Sequence, residues 1–370
     1  MDDTWPVSAD LVDRERLVAW MDEQGLGEGP LSGAELLGGG TQNILLAFSR
    51  DGQDLVLRRP PAHKRPNSDE TLRREARVLA ALEGLEVPHP ALIAACPTTE
   101  VIGAAFTIME RVRGFNPFPT SSGATAAPPP DTVEVSSGDR HEMGLSLART
   151  AAALGNLELG SLGLEGFGRP DGWLERQVPR WRAHLLGYTR SPTYPVPLLH
   201  GVDDLGSWLE ANRPRRWTPG LIHGDCHLAN VLFRTDRPEV AALVDWELAT
   251  IGDPLMDLGW LIATWPTEDN AILSGESQVP WPEPRMGLPS PAEIVSEYSR
   301  CSRLRSVGSA PWYGAMACYK LGIILEGTFV RAREGRADPA TGETLHQAAL
   351  ALIERGRSLA EGTDWEGPAD

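Results

Sequence analysis

Three oxygen-bearing side chains in the middle of the chain, Asp225, Asn230 and Asp245, have the types and spacing for chemistry on a phosphate. Asp225 and Asn230 belong to the stretch LIHGDCHLANVLF, and Asp245 to VAALVDWELATIGDPLMDLGW just after it. Phosphoryl transfer asks a protein for little covalent chemistry; it asks for positioning and for neutralisation of charge. Mg²⁺ takes a few hard oxygen ligands and keeps several waters. A hydroxyl that attacks phosphorus needs a carboxylate beside it to orient it and accept its proton. A short loop with Asp225, and with Asn230 five residues later, can serve both needs. Asp225 can face the hydroxyl while Asn230 faces a metal, and Asp245 can reach the same metal from the next strand.

Several elements must position that loop. Residues 8–24 carry apolar side chains at helical spacing, with Ser8 or Asp10 as the expected cap. ILLAFS and DLVLRR read as two strands around an Asp51-Gly52 turn. NSDETLRREARVLAALEG reads as a helix capped by Asp69 and ended by Gly84. AAFTIMERVRG reads as a buried strand followed by a turn. The first part is therefore expected to be a small antiparallel sheet with a packed helix. Residues 117–139 are rich in Pro, Ser, Gly and Ala and read as a linker, as do residues 277–290. Beyond residue 140 the pattern is helical, broken by the short apolar strands GLIHGD and EVAALVDW.

The spacing H-G-D-x-x-x-x-N from His223 to Asn230, the apolar strand ending in Asp245, and the G-D-P-x-x-D-L run from Gly252 together resemble the aminoglycoside phosphotransferase superfamily, a branch of the protein-kinase-like fold. The resemblance implies an α+β, bilobal architecture. Residues 1–112 would form an N-lobe of antiparallel sheet plus helix, 113–140 a Pro/Ser/Gly-rich segment, and 141–370 a mainly helical C-lobe. It implies ATP or GTP as donor with Mg²⁺, Asp225 as catalytic base, and Asn230 and Asp245 as metal ligands. His223 would brace the catalytic loop, and Asp257 would hold that loop through backbone N–H groups. In LVLRRP, Arg58 falls where kinase-like proteins place the basic residue that pairs with the α/β-phosphates, with Glu75 as its carboxylate partner. Arg59 competes for that role, since one residue's slip reverses the face. Gly39, Gly40, Thr41 and Asn43 fall where a loop would cover the phosphates. Met109, Glu110 and Val112 resemble the hinge whose backbone reads the adenine edge, though Met109 suits a plain core position equally well.

More of the chain, residues 30–335, resembles the phosphotransferase-family proteins related to the kinase-like domain fused to acyl-CoA dehydrogenases. That narrower likeness implies a small-molecule acceptor such as a hydroxy acid or hydroxyacyl thioester. It departs at Leu154-Gly155, where the family often has Leu-His, and at Thr41-Gln42-Asn43 in the glycine loop. Arg176 and Arg180 are four residues apart and share a helix face. With Trp181 they suit a carboxylate or CoA phosphates, or simply a solvated surface. Glu247 is a further acceptor-side candidate, and Lys320 is either a buried pair or a substrate contact. An aminoglycoside kinase would instead need an acidic acceptor pocket. A non-catalytic nucleotide-binding module would be expected to lack one of Asp225, Asn230 and Asp245. A protein kinase is disfavoured, because H-R-D, D-F-G and A-P-E segments are absent from the sequence.

Bulk composition agrees with this reading. The net charge of −17 over 370 residues argues against a nucleic-acid partner and against docking on an anionic membrane. Lys64 and Lys320 are the only lysines, so a phosphate clamp must be mostly arginine. Cys96, Cys226, Cys301 and Cys318 form no C-x-x-C pair, as expected for free thiols in a reducing cytosol. The acidic opening MDDTWPVSAD has no signal-peptide pattern, and a cytoplasmic location is expected. Oligomeric state leaves no mark on the sequence.

Overall fold

The computed structural model describes residues 5–37, 43–116, 135–266, 287–303 and 306–362. The chain divides into two compact units. One comprises Met1–Glu134, Leu162–Leu164 and Ala229–Ala249; the other comprises Val135–Ser161, Glu165–Leu228 and Thr250–Asp370.

The first unit is built on five antiparallel strands in the order β1-β2-β3-β5-β4. They are β1 (Ser32–Leu36), β2 (Ile44–Arg50), β3 (Gln53–Arg59), β4 (Leu92–Cys96) and β5 (Phe106–Glu110). The β2–β3 hairpin closes as its sequence requires. Asp51 and Gly52 both take positive φ, 49° and 73°, which matches the twist of the flanking strands. Helix α1 (Arg14–Glu23) is shorter than its apolar pattern suggested. Its cap is Asp13, whose side chain accepts from Arg16 N at 3.0 Å, because Ser8 is used in a preceding turn that receives the Leu11 and Val12 N–H groups. Helix α2 (Ser68–Leu82) begins after Asn67, and Asp69 is not its cap. The Asp69 carboxylate instead accepts from Ala105 N at 2.9 Å, tying the helix to β5. Leu46, Leu57, Ile108 and Leu72 share one core with Leu17 and Met21 of α1. Two further strands, β7 (Val231–Phe233) and β8 (Val240–Leu243), form a separate antiparallel ladder in this unit.

The second unit holds seven helices among the described residues: α3 (Ser137–Gly155), α4 (Trp173–Tyr188), α5 (Val202–Ala211), α6 (Leu255–Thr264), α7 (Pro291–Cys301), α8 (Ala310–Arg333) and α9 (Pro339–Glu361). It also holds a two-stranded ladder, β6 (Gly220–Ile222) with β9 (Thr250–Gly252). Strands β1, β4, β7 and β9 are the elements that sequence periodicity missed. Two of them are three residues long, too short to show an alternation. Gly155 is closely packed: a Cβ there would lie 2.8 Å from the Pro254 Cβ. Among the described residues no helix is long and apolar enough to cross a membrane.

Candidate active site

In the first unit the site is organised around Arg58. Side chains alternate along β3, so Arg58 and Arg59 point to opposite faces. Arg59 spends its donors on the Pro60 and Ile102 carbonyls, at 3.0 and 3.2 Å. Arg58 places Nε 2.9 Å from Glu75 Oε2 and Nη2 2.6 Å from Asp245 Oδ1, with Glu247 Oε2 at 3.7 Å. Glu75 lies three residues after Leu72 and four before Leu79, which puts it on the buried face of α2 rather than in solvent. Its carboxyl is only 3% exposed. Burial pushes the Glu75 pKa up to about 7; Arg58 opposes that rise, and Asp245 and Glu247 add to it. Burial also works against the Arg58 charge, but the three carboxylates prevail and hold the guanidinium protonated.

The β7–β8 ladder positions the proposed metal ligands. Val231 pairs with Leu243, and Val244 N donates to Asn230 O at 3.0 Å, so Asn230 and Asp245 sit at the same end of the ladder. Asp245 is left-handed, with φ 67° and ψ 64°. A non-glycine residue rarely adopts this conformation, though Asp tolerates it better than most, and such residues concentrate at functional sites. Two hard oxygen donors suit Mg²⁺, which binds few protein ligands and completes its shell with phosphates and water. Among the described residues no cluster of three or more His, Cys, Asp or Glu could hold a metal without such help.

Asn43 Nδ2 donates to Glu247 Oε2 at 3.3 Å, which ties both residues to the Arg58 cluster. Gly39, Gly40 and Thr41 lie outside the described residues. Met109 is 7% exposed and pairs with Val56 and Leu92 inside the sheet, a core position. The Glu110 and Arg111 N–H groups donate to Ala91 O and Asp54 O, so Val112 is the first residue of the hinge candidate past this pairing.

In the second unit the β6–β9 ladder delivers His223–Asp225 to the start of α6. There Asp257 accepts from His223 N and Gly224 N, both at 2.8 Å. Burial pushes the Asp257 pKa up to about 6 against those two N–H groups and Lys320. Asp225 has Oδ1 3.3 Å from His227 Nε2 and is 25% exposed. Burial would raise its pKa, yet His227, His223 and Lys320 together hold it well below the usual carboxylate range. Lys320 Nζ, from α8, donates to Gly224 O at 3.1 Å.

The arginines of α4 part company. Arg176 donates to the backbone carbonyls of Asp171 and Arg169, which staples the loop leading into its own helix. Arg182 pairs with Glu210 at 3.1 Å. Arg180 is exposed and lies against the ring of Trp181, which is itself buried. Arg176 and Arg182 thus spend donors on neighbours of their own, whereas Arg180 lies over the Trp181 ring.

Residues 33–278 match the model of the phosphotransferase enzyme family, which covers most of the elements just described. The chain belongs to that family. This family member is 31% identical over 333 residues to acyl-CoA dehydrogenase family member 11 of Pongo abelii, covering 88% of this chain and 39% of that protein. The human protein of the same name is 30% identical over 331 residues, with 88% and 39% covered. The chain thus spans about two fifths of the length of these relatives. Among solved structures, a Ralstonia eutropha JMP134 protein assigned to the aminoglycoside phosphotransferases superposes with a TM-score of 0.74 at 27% identity, covering 94% of this chain and 98% of that one. The aminoglycoside phosphotransferase APH(4)-Ia, solved with ADP and hygromycin B, has a TM-score of 0.57 at 15% identity over 91% and 97% of the two chains, a likeness of fold. The kinase-like α+β fold read from the sequence is the fold observed.

Two participants escaped the sequence reading. His227, two residues after Asp225, acts on its carboxylate, and its place inside H-G-D-C-H was the available signal. Trp260 faces Lys320 with its ring and carried no signal, since a tryptophan in an apolar helix reads as core.

Proposed function

We propose that this chain moves the γ-phosphoryl group of ATP or GTP to the hydroxyl of a small anionic acceptor, a hydroxy acid or a hydroxyacyl thioester. The sign of charge around Asp225 carries the acceptor class. Lys320 and Arg180 supply positive charge beside Asp225, opposed by Asp257, and His227 adds to it when protonated. Such surroundings attract an anion and repel a polycationic antibiotic. The relatives named as acyl-CoA dehydrogenase family members point toward acyl chemistry as well.

In this reading Asp225 accepts a hydrogen bond from the acceptor hydroxyl and orients it toward phosphorus. Held well below the usual range, Asp225 is a weak base and takes the proton late, as a loose transition state allows. The acceptor oxygen bonds to the γ-phosphorus as the bond to the bridging oxygen of the nucleoside diphosphate breaks. Arg58, steered by Glu75, pairs with the α/β-phosphates, and backbone groups at Glu110–Val112 meet the base. Asn230 and Asp245 would hold Mg²⁺, which when bound neutralises charge on the phosphate oxygens. Asp257 keeps the His223–Asp225 peptides in place.

An aminoglycoside acceptor is the second reading, supported by the Ralstonia neighbour. A screen of ATP and GTP consumption with Mg²⁺ separates the two readings. Turnover with hydroxy acids or hydroxyacyl-CoAs is expected. Turnover confined to aminoglycosides would overturn the anionic assignment.

A further inference from the structure

We propose that Lys320 is a positioning residue for the transfer: its ammonium clamps the Gly224 carbonyl and so aims Asp225. This inference rests on the reading of Asp225 given above.

Lys320 sits in the middle of α8, a helix whose side chains are mostly buried. Lys320 itself is half-buried, and even partial desolvation of an ammonium is costly, so a lysine there needs compensation. Three elements supply it. The catalytic loop offers the Gly224 carbonyl at 3.1 Å. Helix α6 offers the face of Trp260, with its centroid 4.2 Å from Nζ, and α4 offers Trp181 at 5.8 Å. The charged groups acting on Nζ are Asp225 from the loop, Asp257 from α6 and Arg180 from α4.

Gly224 explains why a clamp is useful. Its φ of 81° is open to glycine and strained for other residues, and glycine is also the residue with most freedom to leave it. The Gly224 N–H is held by Asp257 and the Gly224 carbonyl by Lys320, so both groups around the Cα that precedes Asp225 are tied down. Removing the ammonium frees the carbonyl side and withdraws a charge that lowers the Asp225 pKa. Burial brings the Lys320 pKa down to about 8 despite the two aspartates, so its charge is present at neutral pH and is lost as pH rises through that value.

The test uses the whole chain and phosphate release from Mg-ATP with water as acceptor, so the natural acceptor need not be known. Lys320→Met, Lys320→Arg and Asp225→Ala are compared from pH 6 to 9.5, with melting temperatures. Lys320→Met should lose roughly 10- to 100-fold in kcat at pH 7 while its melting temperature moves by no more than ~3 °C, since a neutral side chain of similar volume suits a half-buried site. The ratio of wild-type to Lys320→Met rates should shrink as pH rises past 8. Lys320→Arg should keep most of the activity and show no such fall. A Lys320→Met enzyme with wild-type kcat at pH 7 overturns the proposal, provided Asp225→Ala is impaired. So does a ratio that is constant with pH, accompanied by a large drop in melting temperature; that would mark a structural lysine. If Lys320→Met fails to fold, the basic limb of Lys320→Arg decides, and a limb in the wild-type position refutes the inference. Equal rates in wild type and Asp225→Ala would remove the underlying reading of Asp225 and this inference with it.

Discussion

Arg58→Met isolates the buried ion pair of the first unit. The substitution keeps much of the stem and removes the guanidinium that faces Glu75, Asp245 and Glu247. Glu75 already has a folded pKa near 7 against an ordinary 4.5. Its ionised form is therefore disfavoured in the fold: the penalty is absent below 4.5, grows with pH, and stops growing above the folded value. In the wild type it stops near 7. Without Arg58 the folded value moves up toward the 8–9 seen for unpaired buried glutamates. The extra penalty accumulates only above pH 7, at about 1.4 kcal/mol per unit, and reaches about 1.4–2.7 kcal/mol by pH 9. Loss of the contacts to the more exposed Asp245 and Glu247 adds at most about 1 kcal/mol. The total of about 1.4–3.7 kcal/mol at pH 9 corresponds to a melting temperature lower by roughly 3–15 °C for a unit of about 150–250 residues. At pH 6 the deficit should shrink to about 1 kcal/mol. The double variant Arg58→Met/Glu75→Gln should lose the pH-dependent part, because no carboxyl remains to titrate. Thermal melts at pH 6, 7, 8 and 9 read this directly. An Arg58→Met deficit that is equal at pH 6 and 9 would show that Glu75 does not titrate against Arg58.

Three other outcomes are expected. Asp225→Ala should cut turnover by ~100-fold or more and leave nucleotide affinity nearly unchanged, measured by single-turnover kinetics and calorimetry; a parallel loss of affinity would argue that Asp225 serves the nucleotide instead. Activity should fall as pH drops through about 6, where Asp257 takes up a proton and stops accepting from both His223 N and Gly224 N. Because its folded value lies above the ordinary 3.8, that protonation favours the folded state as pH falls from 6 toward 4, so activity should disappear before near-UV circular dichroism changes. Gly259→Ala should be severely destabilising, since its Cβ would meet the Tyr313 backbone at 2.4 Å and force α6 from α8; a loss of about 3 kcal/mol or more is expected in urea unfolding, and a melt within 1 °C of wild type would contradict the packing.

Much of this protein was legible in one dimension. The order Asp225, Asn230, Asp245, Asp257 appears as fixed spacing, and within each unit short ladders bring the partners together, Asn230 with Asp245 and Asp257 with the His223–Gly224 backbone. The β2–β3 hairpin was equally legible, since Asp51-Gly52 and two apolar runs leave few alternatives. What lies far apart along the chain was not. Arg58 and Arg59 are indistinguishable by type, and only the partners on α2 and after β8 decide which faces Glu75 and Asp245. Arg176 and Arg180 share a periodicity but not a role, because Arg176 is consumed by its own loop carbonyls. Lys320, ninety-five residues after Asp225, reaches its loop only because α8 packs against α6 and α4. Local spacing encodes which chemistry is available, whereas the charge state and aim of each group come from long-range packing that a linear pattern does not record.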